Sequence, residues 1–187
     1  MRTRHDLIQA TLDVISAVGL ENATVVRITH HAGTSRGTLY AHFPDGRPEL
    51  LAEAYQAVGR TVVKTAEGYR SHASTWIDRV CAYLQAMLDL AAQREIGLFY
   101  NISGPQMVGM RRRGIGSQTS LDAITAELQQ AQTDGHVHAG LDVESIAAML
   151  VGAIREAGID ASREPAIAPR RLTAFRQLLE ALGANLA

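Results

Sequence analysis

Two short helices joined through a glycine are predicted for residues 24–43, TVVRITHHAGTSRGTLYAHF. Thr24 is suited to cap the first helix, because its hydroxyl can accept a hydrogen bond from an unpaired amide of the first turn. Apolar residues then recur at helical spacing, at Val25, Ile28 and Ala32. Gly33 ends this helix, since the residue after a helix end often has a positive φ that glycine adopts without steric cost. This pattern is typical of a helix-turn-helix.

The second helix of the pair carries the residues that we expect to contact DNA. Thr34 or Ser35 caps it, and small or polar side chains surround one arginine in its first turn. A recognition helix enters the major groove with its N-terminal residues toward the base edges, so bulky side chains there would block the approach. Arg36 can donate to the O6 and N7 atoms of a guanine, or it can bind a phosphate. The predicted contacts are Thr24, Thr34, Ser35, Arg36, Gly37, Thr38, Tyr40 and His42. Of these, we expect Arg36 and Thr38 to face the bases.

The segment GTSRGTLYAHFP, residues 33–44, resembles the signature of TetR-type transcriptional regulators, and the similarity covers residues 5–60. The alternative is an ordinary helical hairpin with a glycine turn. The match of the whole segment to the family signature disfavours this alternative. By this resemblance, Arg47 takes the place of a lysine that donates to a phosphate in relatives, although the loop before it is slightly longer here. Thr29 stands where relatives usually carry alanine at a tight helix crossing, and we expect its hydroxyl to bond to the preceding turn.

An all-α fold of about nine helices is predicted, because apolar residues recur at helical spacing and no stretch shows the alternation of a strand. With 187 residues, of which 47% are hydrophobic and 20% charged, the chain is globular rather than disordered. The resemblance implies two domains. Residues 1–47 would form a three-helix DNA-binding domain, and residues 48–187 a helical domain for effector binding and dimerisation.

Net charge, cysteine content and the apolar runs limit the possible binding partners and the cellular compartment. The net charge is −1, so any nucleic-acid surface must be local. Cys81, the single cysteine, excludes an intrachain disulfide and is expected to be a small buried residue. The N-terminus lacks the apolar core of a signal peptide, and the longest apolar run, residues 146–154, is too short to span a bilayer. We therefore expect a soluble, cytoplasmic protein without a membrane partner.

The C-terminal part also resembles TetR-type effector domains, in the runs GPQMVG at 104–109 and GAIREA at 152–157. The resemblance implies that this part binds a small molecule. Methionine and aromatic side chains are predicted to line a largely apolar cavity: Trp76, Met87, Phe99, Tyr100, Met107 and Met110. The glycine-rich residues 95–116 would form its mobile wall. Ordinary core packing explains the same side chains equally well. The expected effector is an apolar small molecule, and no cofactor is expected.

Residues 146–154, IAAMLVGAI, are apolar on every face of a helix. A helix exposed on one side carries a polar stripe there, so we expect this helix to be covered both by its own domain and by a second copy of the chain. Two copies of it and of the last helix would form a four-helix bundle about a twofold axis. The predicted interface residues are Met149, Ala153, Ala157, Phe175, Leu178 and Leu182.

The resemblance implies a ligand-responsive regulator, a repressor that binds a palindromic double-stranded DNA operator as a homodimer and leaves it when a small molecule binds. One alternative is a constitutive DNA-binding protein, which a C-terminal domain without a cavity would favour. The other is an enzyme, but the chain has no phosphate-binding loop after a strand and no nucleophile elbow.

His136 and His138 have no cysteine or carboxylate cluster beside them, so a surface loop and no metal site are predicted. Arg111–Arg113 is either a solvated helix end or a second nucleic-acid patch.

Overall fold

The computed structural model of the chain describes residues 2–107 and 114–183, and most of these residues are helical. The helical elements are α1 (Arg2–Val18), α2 (Val25–His31), α3 (Arg36–His42), α4 (Arg47–Arg70), α5 (Trp76–Ala92), α6 (Arg94–Leu98), a π-helical turn (Phe99–Ser103), α7 (Gly104–Met107), α8 (Ile115–Thr133), α9 (Val143–Arg163), a 3-10 turn (Pro165–Ile167) and α10 (Ala168–Glu180). If the contiguous segments of residues 94–107 are counted as one broken helix, the described residues contain nine α-helices. The all-α class is confirmed. Within the described ranges, no helix combines the length and the apolar composition that crossing a membrane requires.

Residues close to the helix ends determine the geometry of the first three helices. The hydroxyl of Thr24 caps α2 by accepting from an amide of the first turn at 3.3 Å. Gly33, just after α2, has a φ of +63°. Ser35 caps α3 by accepting from the amide of Thr38 at 3.1 Å. Buried Thr29 donates its hydroxyl hydrogen bond to a carbonyl of the preceding turn at 2.9 Å, as expected. The helix-turn-helix geometry therefore follows from side chains within the motif.

α4 connects the N-terminal helices to the rest of the chain. It begins after Gly46, which has a φ of +67°, and Pro48 lies in its first turn, where the missing N–H costs no helical hydrogen bond. α4 packs against α1 as well as against α5 and α8. The predicted boundary between residues 1–47 and residues 48–187 thus falls at the start of a helix that contacts both parts. That division stays a prediction.

The chain between α5 and α8 contains a helix that is interrupted by a widened turn. Pro105 has no amide hydrogen, and its ring would collide with the carbonyl of Asn101 in a regular helix. The preceding turn is wider instead, and the amide of Gly104 donates to the carbonyl of Phe99, five residues earlier. Single π turns within helices are frequent at functional sites. Here the turn carries the buried side chain of Asn101.

α5 forms the centre of the C-terminal part, where it packs against α4, α9 and α10. Most of its residues are buried, and Tyr83 and Leu84 are among the largest fully buried side chains. α10 packs on the outside of α5, and Arg176 donates to the carboxylate of Asp78 at 2.6 Å. α5 therefore contacts both α9 and α10, and α10 also contacts α9.

Candidate nucleic-acid interface and ligand cavity

α3 exposes one face to solvent and buries the other. Leu39 and Phe43, which follows the helix, are fully buried against the first two helices. Arg36, Gly37 and Tyr40 are exposed. Apart from Arg36, the N-terminal end of the exposed face carries no bulky side chain, so the edge of a DNA groove could approach it closely.

Four hydroxyl-bearing residues of the predicted DNA-binding set also make hydrogen bonds within the motif. Thr24 and Ser35 are the helix caps described above, and the hydroxyl oxygens of Ser35 and Thr38 lie 2.9 Å apart. The amide of Thr34 donates to the carbonyl of Thr29 at 2.9 Å across the turn. These residues therefore have a role in folding, and a DNA contact stays a prediction for each of them.

The ring of Tyr40 lies directly against the turn that precedes α4. A Cβ atom on Gly46 would be 2.8 Å from Cε1 of that ring, and the positive φ at this position independently favours glycine. Tyr40 is nevertheless half-exposed, while His42 at the end of α3 is half-buried. The turn thus supports one side of the tyrosine ring and leaves the other side accessible.

Arg47 makes two contacts within the protein that the family resemblance did not imply. Its Nε atom donates to the carbonyl of Ala23 at 2.8 Å, and its Nη2 atom donates to the carbonyl of Leu20 at 2.7 Å. The guanidinium group therefore ties the start of α4 to the loop between α1 and α2. Its contact with a phosphate stays a prediction.

A cavity of about 480 Å³ lies among α4, α5, the broken helix, α8 and α9. Pockets that bind small molecules have volumes of about 300–1,000 Å³. Its walls combine apolar side chains with polar ones, among them Val62, Met87, Val151, Asn101, Ser120 and Arg155. The cavity is therefore large enough for a small molecule and less apolar than the sequence predicted.

Tyr55 of α4 forms one wall of this cavity and packs between backbone segments at two glycines. A Cβ atom on Gly104 would collide with its ring, and one on Gly114 would lie 2.5 Å from its hydroxyl oxygen. The ring stacks on Tyr100 with the centroids 5.1 Å apart. Burial raises the pKa of Tyr55, with the positive charge of Arg155 opposing the rise, and burial also raises the pKa of Tyr100. Both phenols therefore stay protonated at neutral pH and can donate hydrogen bonds.

Only some of the residues predicted to bind the ligand line the cavity. Met87 and Tyr100 lie on the cavity wall. The prediction is corrected for Trp76 and Phe99, because both are buried in the core and neither lines the cavity. Met107 is a further correction, since it packs against the core without lining the cavity. Helical spacing identifies inward-facing residues, but a cavity wall and a packed core give the same pattern.

The predicted ligand-binding set omitted most of the residues that line the cavity, among them Tyr55, Asn101 and Arg155. Asn101 is only 2% exposed, and its Nδ2 atom has no hydrogen-bond partner among the described residues. Its sequence signal is a polar residue four positions before a proline, inside an otherwise apolar and aromatic run. Met110, which was predicted to line the cavity, and the Arg111–Arg113 run lie outside the described residues.

The residues predicted for the dimer interface differ in their exposure. Met149 of α9 and Leu178 of α10 are large apolar residues that are 72% and 49% exposed. Ala153 and Leu182 are half-buried. The single chain therefore leaves each of these four side chains at least partly uncovered.

Ala157 and Phe175 are corrections to the predicted interface. Both are buried within the single chain, Phe175 on the helix that packs against α5. An apolar pattern on both sides of a helix does not indicate which side faces the protein's own core. In α9 and α10, these two residues face that core.

The cysteine and the paired histidines lie apart from the α3 surface and from the cavity wall. Burial raises the pKa of the Cys81 thiol to about 11. Val137 is buried and forms a bridge with Gly183, and the flanking His136 and His138 are exposed in that loop. In the part of the chain that the structure describes, no group of three His, Cys, Asp or Glu side chains could hold a metal ion.

Comparisons with known protein families match both parts of the chain. Residues 7–54 match the family described as "Bacterial regulatory proteins, tetR family". Residues 74–182 match the family described as "Tetracyclin repressor-like, C-terminal domain". The second match alone covers more than half of the chain.

Curated relatives include two proteins of Chromohalobacter salexigens, the HTH-type transcriptional regulators BetI 1 and BetI 2. This chain is 39% identical to the first over 83 residues and 40% identical to the second over 70 residues. The matched segments cover 40% and 37% of this chain. They span only 41% and 33% of the relatives' own lengths.

Solved structures of similar fold cover nearly the whole chain. A TetR-family transcriptional regulator from Pectobacterium atrosepticum aligns with a TM-score of 0.83 at 19% identity, over 98% of this chain and 95% of that protein. The regulator FadR of Bacillus subtilis, solved in complex with stearoyl-CoA, aligns with a TM-score of 0.71 at 18% identity, over 91% and 96% of the two chains. At these identities, the similarity shows the fold alone.

Proposed function

Since the chain belongs to the tetR family of bacterial regulatory proteins, we propose that it is a ligand-responsive repressor that binds double-stranded operator DNA as a homodimer. A small molecule in the cavity would release the protein from the DNA. Residues 1–47 would bind the operator, and residues 48–187 would bind the effector and form the dimer. The prediction that the chain is not an enzyme agrees with its membership of a family of regulatory proteins.

The observation that carries this proposal is the position of α4. This helix begins four residues after Phe43, the end of the predicted helix-turn-helix, and it packs against α1. Eight residues into α4, Tyr55 forms a wall of the cavity. Because Tyr55 is packed against Gly104 and Gly114, a ligand that displaces its ring must move either α4 or the broken helix. α4 therefore connects the cavity wall to the N-terminal helices that carry the predicted DNA-binding surface, a connection that a constitutive DNA-binding protein would not need.

On the DNA side, Arg36 and Thr38 are proposed to face the bases. Thr24, Tyr40 and His42 would hold the phosphate backbone. The exposure of Arg36 and Tyr40 supports this assignment, since a side chain must be accessible to reach a groove. A dimer would place two such helices in successive major grooves, about 35 Å apart along the duplex.

Selection of bound fragments from a random DNA pool tests the proposed function directly. We expect a palindromic site. Replacing Arg36 by alanine should cost about 1–3 kcal/mol of binding free energy and relax the preference at one position of each half-site. Tyr40→Phe should weaken binding to all sequences alike, because a phosphate contact carries no sequence information. Affinities for the selected site and for random DNA, measured at one salt concentration, separate the two effects.

Two results would contradict this assignment. If no sequence is enriched, the protein is not an operator-binding regulator. If Arg36→Ala lowers the affinity equally for the selected site and for random DNA, Arg36 contacts phosphate and does not read a base.

A further inference from the structure

One buried polar group in the cavity wall lacks a hydrogen-bond partner among the described residues. Asn101 is almost completely buried, yet its Nδ2 atom has no acceptor among the described residues. The side chain lines the cavity and lies against α9, where a Cβ atom on Gly158 would be 3.0 Å from Nδ2. A buried donor without an acceptor costs about 1–3 kcal/mol. A ligand that brings an acceptor into the cavity would remove this cost.

Among the described residues, the cavity wall carries charge of a single sign. Arg155 lines the cavity from α9, is exposed, and forms no ion pair with the described residues. None of the described residues that line the cavity is an aspartate or a glutamate. A cationic ligand would therefore meet an unopposed positive charge, whereas an anionic ligand would gain a charge-assisted hydrogen bond.

The remaining wall is suited to an apolar body. Val62, Met87, Val151 and Ile154 line the cavity together with the stacked rings of Tyr55 and Tyr100. We propose that the effector is an amphiphilic carboxylate, with its carboxylate group bound by Arg155 and Asn101 and its apolar part between these side chains. This inference rests on the proposed function and names the chemical class of the ligand for the same cavity.

The two polar residues would contribute differently to recognition. Arg155 recognises charge, so it distinguishes a carboxylate from its neutral ester. Asn101 recognises an acceptor, so it contributes to the binding of both, because an ester carbonyl also accepts a hydrogen bond. Comparing the affinities of a carboxylate and its methyl ester therefore separates the role of Arg155 from the role of Asn101.

Calorimetric titration of the full-length protein with three matched series tests the inference. The probes are hexanoate, octanoate and decanoate, their methyl esters, and the primary amines of the same chain lengths. We expect the best carboxylate to bind about tenfold or more tightly than its ester, and the amine to bind most weakly. Arg155→Gln should abolish the preference for the carboxylate over the ester. Arg163→Gln, at an exposed arginine on the same helix, is the matched control and should preserve that preference.

Asn101→Leu should weaken the binding of carboxylate and ester alike, because both lose the donor. The melting temperature of this variant should not fall, since the substitution removes a buried polar group that has no hydrogen-bond partner among the described residues. An unchanged affinity in Asn101→Leu would overturn the role of Asn101. The inference as a whole is overturned if no carboxylate binds, if an ester or an amine binds as tightly as its carboxylate, or if Arg155→Gln keeps the preference.

Failure of this inference and failure of the proposed function are distinguishable. A protein that binds its selected operator but none of the carboxylates remains a regulator with a different effector. If the protein selects no DNA but binds carboxylates through Arg155, the proposed ligand class is supported and the proposed regulatory function is contradicted.

Discussion

Gly37 combines an exposed position in the first turn of α3 with room for a larger side chain. A Cβ atom there would be 3.6 Å from the nearest atom, the hydroxyl oxygen of Ser35, which is an ordinary contact. Alanine at this position should therefore raise the stability of the protein by up to about 1 kcal/mol, because glycine is the weaker helix former. If α3 lies in the major groove, the added methyl group meets DNA and weakens operator binding.

Gly68 provides the matched control for this prediction. It lies in α4 near the C-terminal end, it is exposed, and a Cβ atom there would have no neighbour within 4 Å. Gly68→Ala should raise the melting temperature to a similar extent and leave operator binding unchanged. If Gly37→Ala binds the operator as tightly as the Gly68→Ala variant does, Gly37 does not face the groove.

Arg47 has two alternative roles that one pair of variants can separate. The structure shows its guanidinium group bonded to the carbonyls of Leu20 and Ala23, whereas the family resemblance implies a phosphate contact. Loss of the two bonds in Arg47→Ala should lower the free energy of unfolding by about 1–3 kcal/mol, as measured by denaturant titration. Arg60→Ala, at an exposed residue of the same helix, should have little effect. If both variants are equally stable and only Arg47→Ala binds DNA weakly, the phosphate contact is its main role.

Helix ends that depend on neighbouring residues could be predicted from the sequence, whereas the widened turn could not. Thr24 and Gly33 act at the positions that their chemistry indicates, because a cap and a positive φ involve only the adjacent turn. Pro105 disturbs the helix because it has no amide hydrogen. The form of the disturbance, a π turn at Phe99–Ser103, depends on how the chain packs against Tyr55 of a distant helix. No periodicity within the segment contains that information.

The contact between α5 and α10 should make stability depend on pH in the acid range. The pKa of Asp78 is lowered, first by the hydrogen bond from the Thr75 hydroxyl and then by Arg176 of α10. The folded pKa therefore lies below the unfolded value of about 3.9. The unfolded chain binds the proton more readily, so the stabilisation is present above that value and is lost as pH falls through the folded pKa.

Denaturant unfolding between about pH 7 and pH 3 tests this dependence across the unfolded pKa of aspartate. Asp78→Asn should be less stable than the unaltered protein at neutral pH, and the difference between them should shrink as the pH falls. Asp6→Asn, at an exposed residue of α1, is the control. A difference between Asp78→Asn and the unaltered protein that stays constant over this range would show that the carboxylate charge does not hold α10 in place.

At the scale of the whole molecule, the cavity wall is assembled from residues that are far apart in the sequence. Tyr55, Asn101 and Arg155 lie on α4, the broken helix and α9, and no pattern within one of these helices indicates that the three residues line one cavity. A cavity exists where helices fail to fill the space between them, which depends on their relative positions. The sequence therefore predicted the residue types near the cavity, including Met87 and Tyr100, but not the polar groups that would select a ligand.

The dimer is the remaining proposal at this scale, and its support lies in α9 and α10. Met149 and Leu178 are large apolar side chains exposed on these adjacent helices, and Gly152 and Ala153 would let a second helix approach closely between them. We propose that these side chains belong to an interaction site, since contiguous exposed apolar patches mark such sites. A twofold axis would bring the same surface of a second copy against it and fix the distance between the two α3 helices.

Met149→Glu tests the dimer without disturbing the protein's own core, because this side chain is 72% exposed in the single chain. We expect the variant to be monomeric by sedimentation and to keep its melting transition. It should lose operator binding, since one α3 helix alone contacts only half of a palindromic site. Ile115→Glu, which places the same charge at an exposed apolar residue of α8, should remain dimeric and bind DNA. A monomeric Met149→Glu variant with undiminished operator affinity would show that dimerisation does not organise DNA recognition in this protein.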